Sequence, residues 1–242
     1  MAKVKITSGA VFERYENKYL LTWYQYQSVL ERLRGYMERD EYGLHTICTI
    51  YYDTDDYAVI RRCLEKPAFK EKLRLRSYGV PGPDSVVYLE LKKKLRGVTY
   101  KRRVPLRFSE ARAYVPTGRA PALEGKIFEE IDWYLKQAPL KEKVLICYDR
   151  LALFGREDPN LRVTLDADIR WRDYNLPLDK GDYGSLLLPP KTYLLEVKTP
   201  GALPLWFVGI LSELKIYPTS FSKYGAIYQK HLGAKEEICD AV

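Results

Sequence analysis

The sequence predicts an α+β fold, an eight-stranded antiparallel β-barrel with helices packed on its outside. Eight segments rich in tyrosine, valine, leucine or threonine are bounded by turn residues, several at hairpin spacing. Four further segments repeat apolar residues at helical spacing. Most of the strand segments also alternate charged with apolar residues, so each has one polar and one apolar face.

The strand segments lie at about 12–21, 46–53, 69–79, 85–95, 98–107, 144–154, 161–173 and 191–199. Val80-Pro81-Gly82-Pro83-Asp84 and Arg96-Gly97 are hairpin turns, and the Gly155–Asn160 stretch is a third. The first helix follows Thr22, a suitable N-cap, and runs to about 37 with Val29, Leu30 and Leu33 on one face. The second spans about 124–137 around Ile127, Ile131, Tyr134 and Leu135. A strongly apolar third spans about 203–215, and a last one follows Pro218 over about 221–232. Residues 174–190, with three prolines and two glycines, read as a loop. No composition shift or repeat divides the chain, so residues 1–242 read as one domain.

Hydrophobic residues make up 46% of the chain, enough for a sizeable core, which excludes global disorder. A net charge of +8 points to an anionic partner and leaves nucleic acid, a phosphorylated metabolite and a membrane surface open. Cys48, Cys63, Cys147 and Cys239 form no Cys-x-x-Cys pair, and His45 and His231 complete no zinc cage, so the thiols read as reduced and structural. The N-terminus has no apolar signal region and no run of about 18 apolar residues occurs, so the expected location is cytoplasmic, with no membrane segment.

The charges carry the functional signal. Glu16 and Lys18, Glu90 and Lys92, and Glu196 and Lys198 each share a strand face. So do Lys72, Arg74 and Arg76, then Lys101 and Arg103, then Tyr148 and Arg150, then Arg162, Thr164, Asp166 and Asp168. For a single strand, a solvent-facing sheet with cross-strand ion pairs explains this. Repetition over most of the strands, together with helices that need apolar faces to pack on, turns the charged faces inward. A lumen lined in this way suits a strongly anionic ligand, since enclosed cations need counter-charge or water.

Six segments occur in a telling order: Glu16-Asn17-Lys18-Tyr19-Leu20, Ile50-Tyr51-Tyr52-Asp53-Thr54, Lys72-Leu73-Arg74-Leu75-Arg76, Leu89-Glu90-Leu91-Lys92, Leu194-Leu195-Glu196-Val197-Lys198 and Phe221-Ser222-Lys223-Tyr224. With these, the chain resembles the polyphosphate polymerase (vacuolar transporter chaperone) catalytic domain family, within the triphosphate tunnel enzymes. The resemblance implies a tunnel barrel whose cations hold ATP and a growing phosphate chain. Catalytic, phosphate-binding roles would fall on Lys18, Arg74, Arg76, Lys92, Lys101, Arg150 and Lys198. Arg103, Tyr148, Ser222 and Lys223 would bind substrate, Tyr148 and Ser222 by hydrogen bonding. Glu196 resembles the family's metal-binding carboxylate, for Mn²⁺ or Mg²⁺. Arg14 stands where the wider group often has the first glutamate of Glu-x-Glu-x-Lys, which argues against a simple triphosphatase or cyclase. Eukaryotic members add a regulatory domain and membrane helices, neither of which occurs in these 242 residues.

The implied reaction is ATP-dependent polyphosphate synthesis, the γ-phosphate of ATP passing to a chain end. Two polyanions must meet, so positioning and electrostatics should supply most of the catalysis. The chain end is already ionised, with a second pKa of about 6, and asks for no dedicated base. Glu16, Glu90, Asp166 and Asp168 are possible supporting ligands or charge partners. Asp53 reads as structural, orienting an arginine. The start of the last helix, at Ser222 and Lys223, offers N–H groups to an anion, or else Ser222 merely caps it and Lys223 is solvated. Two other readings are a metal-dependent tripolyphosphatase or nucleoside triphosphatase in the same tunnel and a non-catalytic polyphosphate-binding module. Nucleic acid is not expected, because a backbone binder gains nothing from Glu16, Glu90 and Glu196 beside its lysines.

Overall fold

In the computed structural model, residues 15–96, 98–118 and 125–233 are described. Their strands are β1 (Tyr15–Thr22), β2 (Met37–Asp53), β3 (Phe69–Tyr78), β4 (Val86–Leu95), β5 (Val98–Arg107), β6 (Lys141–Gly155), β7 (Arg162–Arg172), β8 (Ser185–Leu186) and β9 (Thr192–Thr199). All pair antiparallel in one sheet of order β1-β9-β7-β6-β2-β3-β4-β5, with the short β8 added beside β7. The helices are α1 (Trp23–Leu33), α2 (Ala58–Leu64), α3 (Phe108–Thr117), α4 (Lys126–Gln137), α5 (Leu205–Glu213) and α6 (Lys223–Ile227), the last continuing as a π turn over Tyr228–Leu232.

The eight expected strands are all present, but closure is not: among the described residues no ladder joins β1 to β5. The sheet is instead strongly curled. Lys92 on β4 reaches within 3.6 Å of Glu16 on β1, although the two strands stand far apart in the sheet order. β2 begins at Met37, well before the expected 46. Its charged first arm shows no apolar alternation, and pairing with β6 (Met37 opposite Gly155) makes it strand. The register there is irregular between Arg39 and Leu44, where Gly43 takes φ +57°. Arg14, Gly97 and Cys239, together with the first residues expected for β1, lie outside the described residues.

Local chemistry explains the helix boundaries. Thr22 caps α1 through a reciprocal box with Gln25, and α1 stops at Leu33 because the chain turns into β2. The helices α2 and α3 were not foreseen. The first is only seven residues long and follows a left-handed Tyr57, and the second contains Pro116, which reads as a breaker. The stretch 174–190 is mostly irregular, but it holds a 3₁₀ turn at Leu178–Lys180 as well as β8. Buried Arg172 ties it down by donating to the carbonyls of Asn175, Gly181 and Tyr183.

Three apolar cores follow from the alternation. On the convex side, Leu73, Leu75, Leu89, Leu91 and Val104 meet α3 and α4 through Phe108, Tyr114, Phe128 and Ile131. A second convex core joins Tyr19, Leu21, Val163, Leu165, Leu195 and Val197 to α1 and α5 through Val29, Leu33, Phe207 and Leu211. Each fully buried aliphatic side chain here contributes about 1.5–3 kcal/mol. The third core lies on the concave side, where Ile60 of α2 and Tyr224 and Ile227 of α6 pack on Ile47, Val144, Ile146, Tyr148 and Leu194. It plugs part of the curl and leaves the remaining concave surface to the charged residues.

Candidate active site

Strand register assembles the site. Arg74 pairs with Glu90 and Lys72 with Lys92, while Glu90 pairs with Arg103 and Lys92 with Lys101. Across the sheet, Lys18 pairs with Glu196 and Glu16 with Lys198, while Thr164 lies opposite Glu196 and Arg150 opposite Asp166. Their neighbours of opposite parity fill the convex cores, so these side chains share the concave face.

One cluster centres on Glu90, which is fully buried. Arg74 lies 2.7 Å from its carboxylate, Lys101 2.6 Å, Arg103 3.5 Å and Arg76 3.8 Å. Arg74 also donates to the Tyr51 hydroxyl and Arg76 to that of Tyr148, each at 3.3 Å. Burial works against the Glu90 charge, but Arg74, Arg76 and Lys101 hold its carboxyl well below the usual range. Burial pushes the Lys101 amine down to about 7 against the pull of Glu90, and Arg74 and Arg76 reinforce it. Tyr51 moves the other way from a buried phenol, since Arg74 and Arg76 draw it down to about 8.

A second cluster centres on Glu196 and Asp166. Arg150 grips Asp166 through two nitrogens at 2.6 and 2.7 Å, and Lys223 reaches the same carboxylate at 2.6 Å. Glu196 has Lys18 at 3.4 Å, Arg150 at 3.5 Å, and Lys198 and Lys223 at 3.8 Å. Glu16 lies 3.3 Å from Lys18 and 3.6 Å from Lys92, joining the clusters across the curl. Burial opposes its charge, yet Lys92, Lys198 and Lys18 hold the Glu16 carboxyl down to about 2. Burial depresses Lys198 and Lys72, whereas in Lys18 and Lys223 the facing carboxylates outweigh it.

The structure therefore brings Lys18, Arg74, Arg76, Lys92, Lys101, Arg103, Tyr148, Arg150, Glu196, Lys198 and Lys223 onto one surface. Asp168 does not join them. A register shift between Cys147 and Asp149 breaks the alternation, Asp168 takes φ +45°, and its side chain is exposed. Asp53 is structural, but among the described residues its partners are backbone amides and a phenol rather than an arginine. It accepts from the N–H groups of Thr54, Val59 and Ile60 and from the Tyr224 hydroxyl. At the start of α6, Ser222 Oγ accepts from Gly225 N–H at 3.2 Å as a cap, and Lys223 is ion-paired rather than solvated. Lys72 Nζ lies 3.5 Å from Ser222 Oγ, and Lys18 Nζ donates to the Phe221 carbonyl at 3.0 Å, so the segment still borders the cations. Sequence reasoning passed over Lys72, Tyr51 and Thr164 as site residues, although the strand parity that selected Arg74, Arg76 and Glu196 also selects Lys72 and Thr164.

Among the described residues, no three His, Cys, Asp or Glu side chains converge as a protein-only metal cage. Glu16 and Glu196 do flank the same Lys18 ammonium, and Thr164 Oγ1, opposite Glu196, is buried without a hydrogen-bond partner. Two carboxylates and a hydroxyl are hard oxygen donors. Mg²⁺ and Mn²⁺ bind through one or two such groups plus phosphate oxygens, so these residues fit that mode.

A family model described as the VTC domain matches residues 13–231. Among solved structures, a candidate adenylate cyclase of Bacillus halodurans aligns with a TM-score of 0.54 at 15% identity, over 87% of this chain and 95% of that one. A candidate adenylyl cyclase of Hippeastrum, described as having a dominant triphosphatase activity, aligns with a TM-score of 0.51 at 17% identity, over 90% and 95% of the two chains. At these identities the likeness is one of fold. No curated protein matches the sequence.

Proposed function

The chain belongs to the VTC domain family, and from that premise we propose that it is an ATP-dependent polyphosphate polymerase, all 242 residues serving one tunnel domain. The observation that carries the reading is the excess of cations over carboxylates on the concave face. Glu90 alone faces Arg74, Arg76, Lys101 and Arg103. Such an arrangement costs desolvation and self-repulsion, and a polyanion offsets both.

Each group then has a role. Arg74, Arg76 and Lys101 grip the phosphates of ATP, with the guanidinium groups offering paired donors. Lys18, Lys92, Arg150, Lys198 and Lys223 screen the incoming chain end and hold it in line. Arg103 and the hydroxyls of Tyr148 and Ser222 complete the contacts. Asp166 keeps Arg150 and Lys223 aimed by pairing with both. A divalent cation, Mn²⁺ or Mg²⁺, would be held by Glu196 and Glu16 and would supply neutralisation of phosphate charge. The acceptor phosphate is ionised at neutral pH, so the residues here orient and stabilise rather than abstract a proton.

The test is incubation with ATP and Mn²⁺, with products resolved on a gel stained for polyphosphate and Glu196→Gln run alongside. Long chains from the wild type, reduced at least about a hundredfold in the variant, support the reading; a metal-ligand loss is of that order. Release of phosphate or breakdown of tripolyphosphate without chains replaces the polymerase with a hydrolase. Equal polyphosphate binding by both proteins without turnover leaves a binding module.

A further inference from the structure

Beyond Arg76, the concave face ends in a rim of aromatic rings that the phosphate contacts do not use. Tyr78 follows Arg76 by one step of the strand face on β3, and Tyr88 of β4 pairs directly with Arg76. β2 contributes Tyr42 and His45. The Tyr42 and Tyr78 rings are near-parallel with centroids 6.3 Å apart, the His45 ring lies 5.6 Å from Tyr78, and Tyr88 stands edge-on to Tyr78 at 5.8 Å. Tyr42 is 66% exposed and Tyr78 45% exposed, so both side chains reach solvent. Left-handed Gly43 and Gly79 hold the two turns that carry these rings, at φ +57° and +75°. The Gly79 N–H donates to Thr46, and Ser77 Oγ donates to the Gly79 carbonyl.

Arg103 connects this rim to the cations. Its guanidinium lies 3.3 Å from the Tyr88 ring centre and donates to the Tyr78 hydroxyl at 3.3 Å, while its Nε is 3.5 Å from Glu90. That Nε is buried and makes no hydrogen bond.

We infer that the rim is a nucleobase platform, taking the base of a nucleoside triphosphate whose phosphates lie along Arg76, Arg74 and Lys101. The inference rests on the proposed reading of the tunnel as a phosphate site. One strand step from Arg76 to Tyr78 is about 7 Å, the order of the span from an α-phosphate across ribose to a base. Aromatic rings accept the face of any base. At the edge, His45 Nδ1 lies 3.2 Å from the Gly43 carbonyl, which can only accept, so Nδ1 is the donor. Nε2 of the neutral ring is then an acceptor, suited to an exocyclic amino group such as that of adenine. The platform lets the protein prefer a nucleotide donor over a base-free phosphate chain held by the same cations.

Titration calorimetry with ATP and with inorganic tripolyphosphate, on the wild type, Tyr42→Ala and Tyr42→Phe, tests this. Tyr42 is exposed, so the fold is not at stake. Tyr42→Ala is expected to weaken ATP about tenfold, the scale of one stacked base, and to leave tripolyphosphate within about twofold. Tyr42→Phe keeps the ring and should keep ATP affinity. Equal shifts for both ligands, or no shift for ATP, overturn the platform. Wild-type binding of tripolyphosphate but not ATP overturns the platform and leaves the phosphate reading standing; binding of neither removes both. A single-stranded oligonucleotide lacking a triphosphate that outcompetes ATP also overturns it, in favour of nucleic acid.

Discussion

Glu90 is fully buried among four cations, and they do not hold their protons equally. Arginine does not give up its proton in a protein, so the cost of crowding falls on the lysine. Lys101, with about 40% of its side chain exposed and its amine held down to about 7, is the group that yields. At pH 8 it is mostly neutral in the free protein. A phosphate oxygen beside it favours the ammonium form, so binding a polyanion takes up a proton, and affinity falls as pH rises above 7. Calorimetry of tripolyphosphate binding at pH 8, in two buffers of different ionisation enthalpy, should therefore show wild type taking up most of one proton more than Lys101→Arg. Equal uptake by the two proteins contradicts the assignment. Tyr51, drawn down to about 8 by Arg74 and Arg76 against burial, adds a smaller share, which Tyr51→Phe isolates.

At the scale of elements, the plug formed by α2 and α6 decides how much of the concave face remains for ligand. Asp53 at the end of β2 holds the two helices together, accepting from Val59 and Ile60 at the start of α2 and from Tyr224 of α6. Gly225 permits the crossing: a Cβ there would come 3.1 Å from Leu64 of α2. Asp53→Ala strands three amide donors, those of Thr54, Val59 and Ile60, and a phenol, with an expected loss of about 3 kcal/mol, against about 1 kcal/mol for Tyr224→Phe. Urea unfolding should also show the double variant costing less than the sum, because the two changes share one hydrogen bond. Strict additivity would contradict this coupling. This plug was the least legible part of the fold. Eight strands were readable from alternation, and the parity that buries Leu73 and Leu75 also sends Lys72, Arg74 and Arg76 to the other face. α2 was not readable, because seven residues give barely two turns of pattern and the carboxylate that receives its first N–H groups, Asp53, lies five residues before its start. Asp168 was misplaced for a related reason, since a bulge is a property of the pairing between β6 and β7 rather than of either strand alone.

For the whole molecule, the charges set how ligand and solvent conditions enter. The chain carries a net charge of +8, and the concave face sets Lys18, Arg74, Arg76, Lys92, Lys101, Arg103, Arg150, Lys198 and Lys223 against Glu16, Glu90, Asp166 and Glu196. Those carboxyls are all held below their ordinary values, so they stabilise the fold above the unfolded range and lose that contribution as pH falls; for Glu16 the window runs from 4.5 to about 2. Lys101 works in the opposite sense. Its depressed amine costs stability increasingly as pH drops from 10.5 towards about 7, and the cost is complete below that. Near neutrality the ligand-free protein therefore carries a strain of like charge that a polyanion relieves. Tripolyphosphate at a hundred times its Kd contributes about 2.7 kcal/mol by mass action, and a chain of this size gains about 2–4 °C per kcal/mol. The melting temperature should accordingly rise by about 5–10 °C at low salt. At fixed ligand concentration the rise should shrink steadily towards 1 M NaCl, where the Debye length falls to about 3 Å. It should also be smaller at pH 9 than at pH 6.5, because Lys101 must then be recharged at the expense of binding. A salt-independent rise would mean that the ligand is held by something other than the concave cations, and it would count against the concave face as the phosphate site.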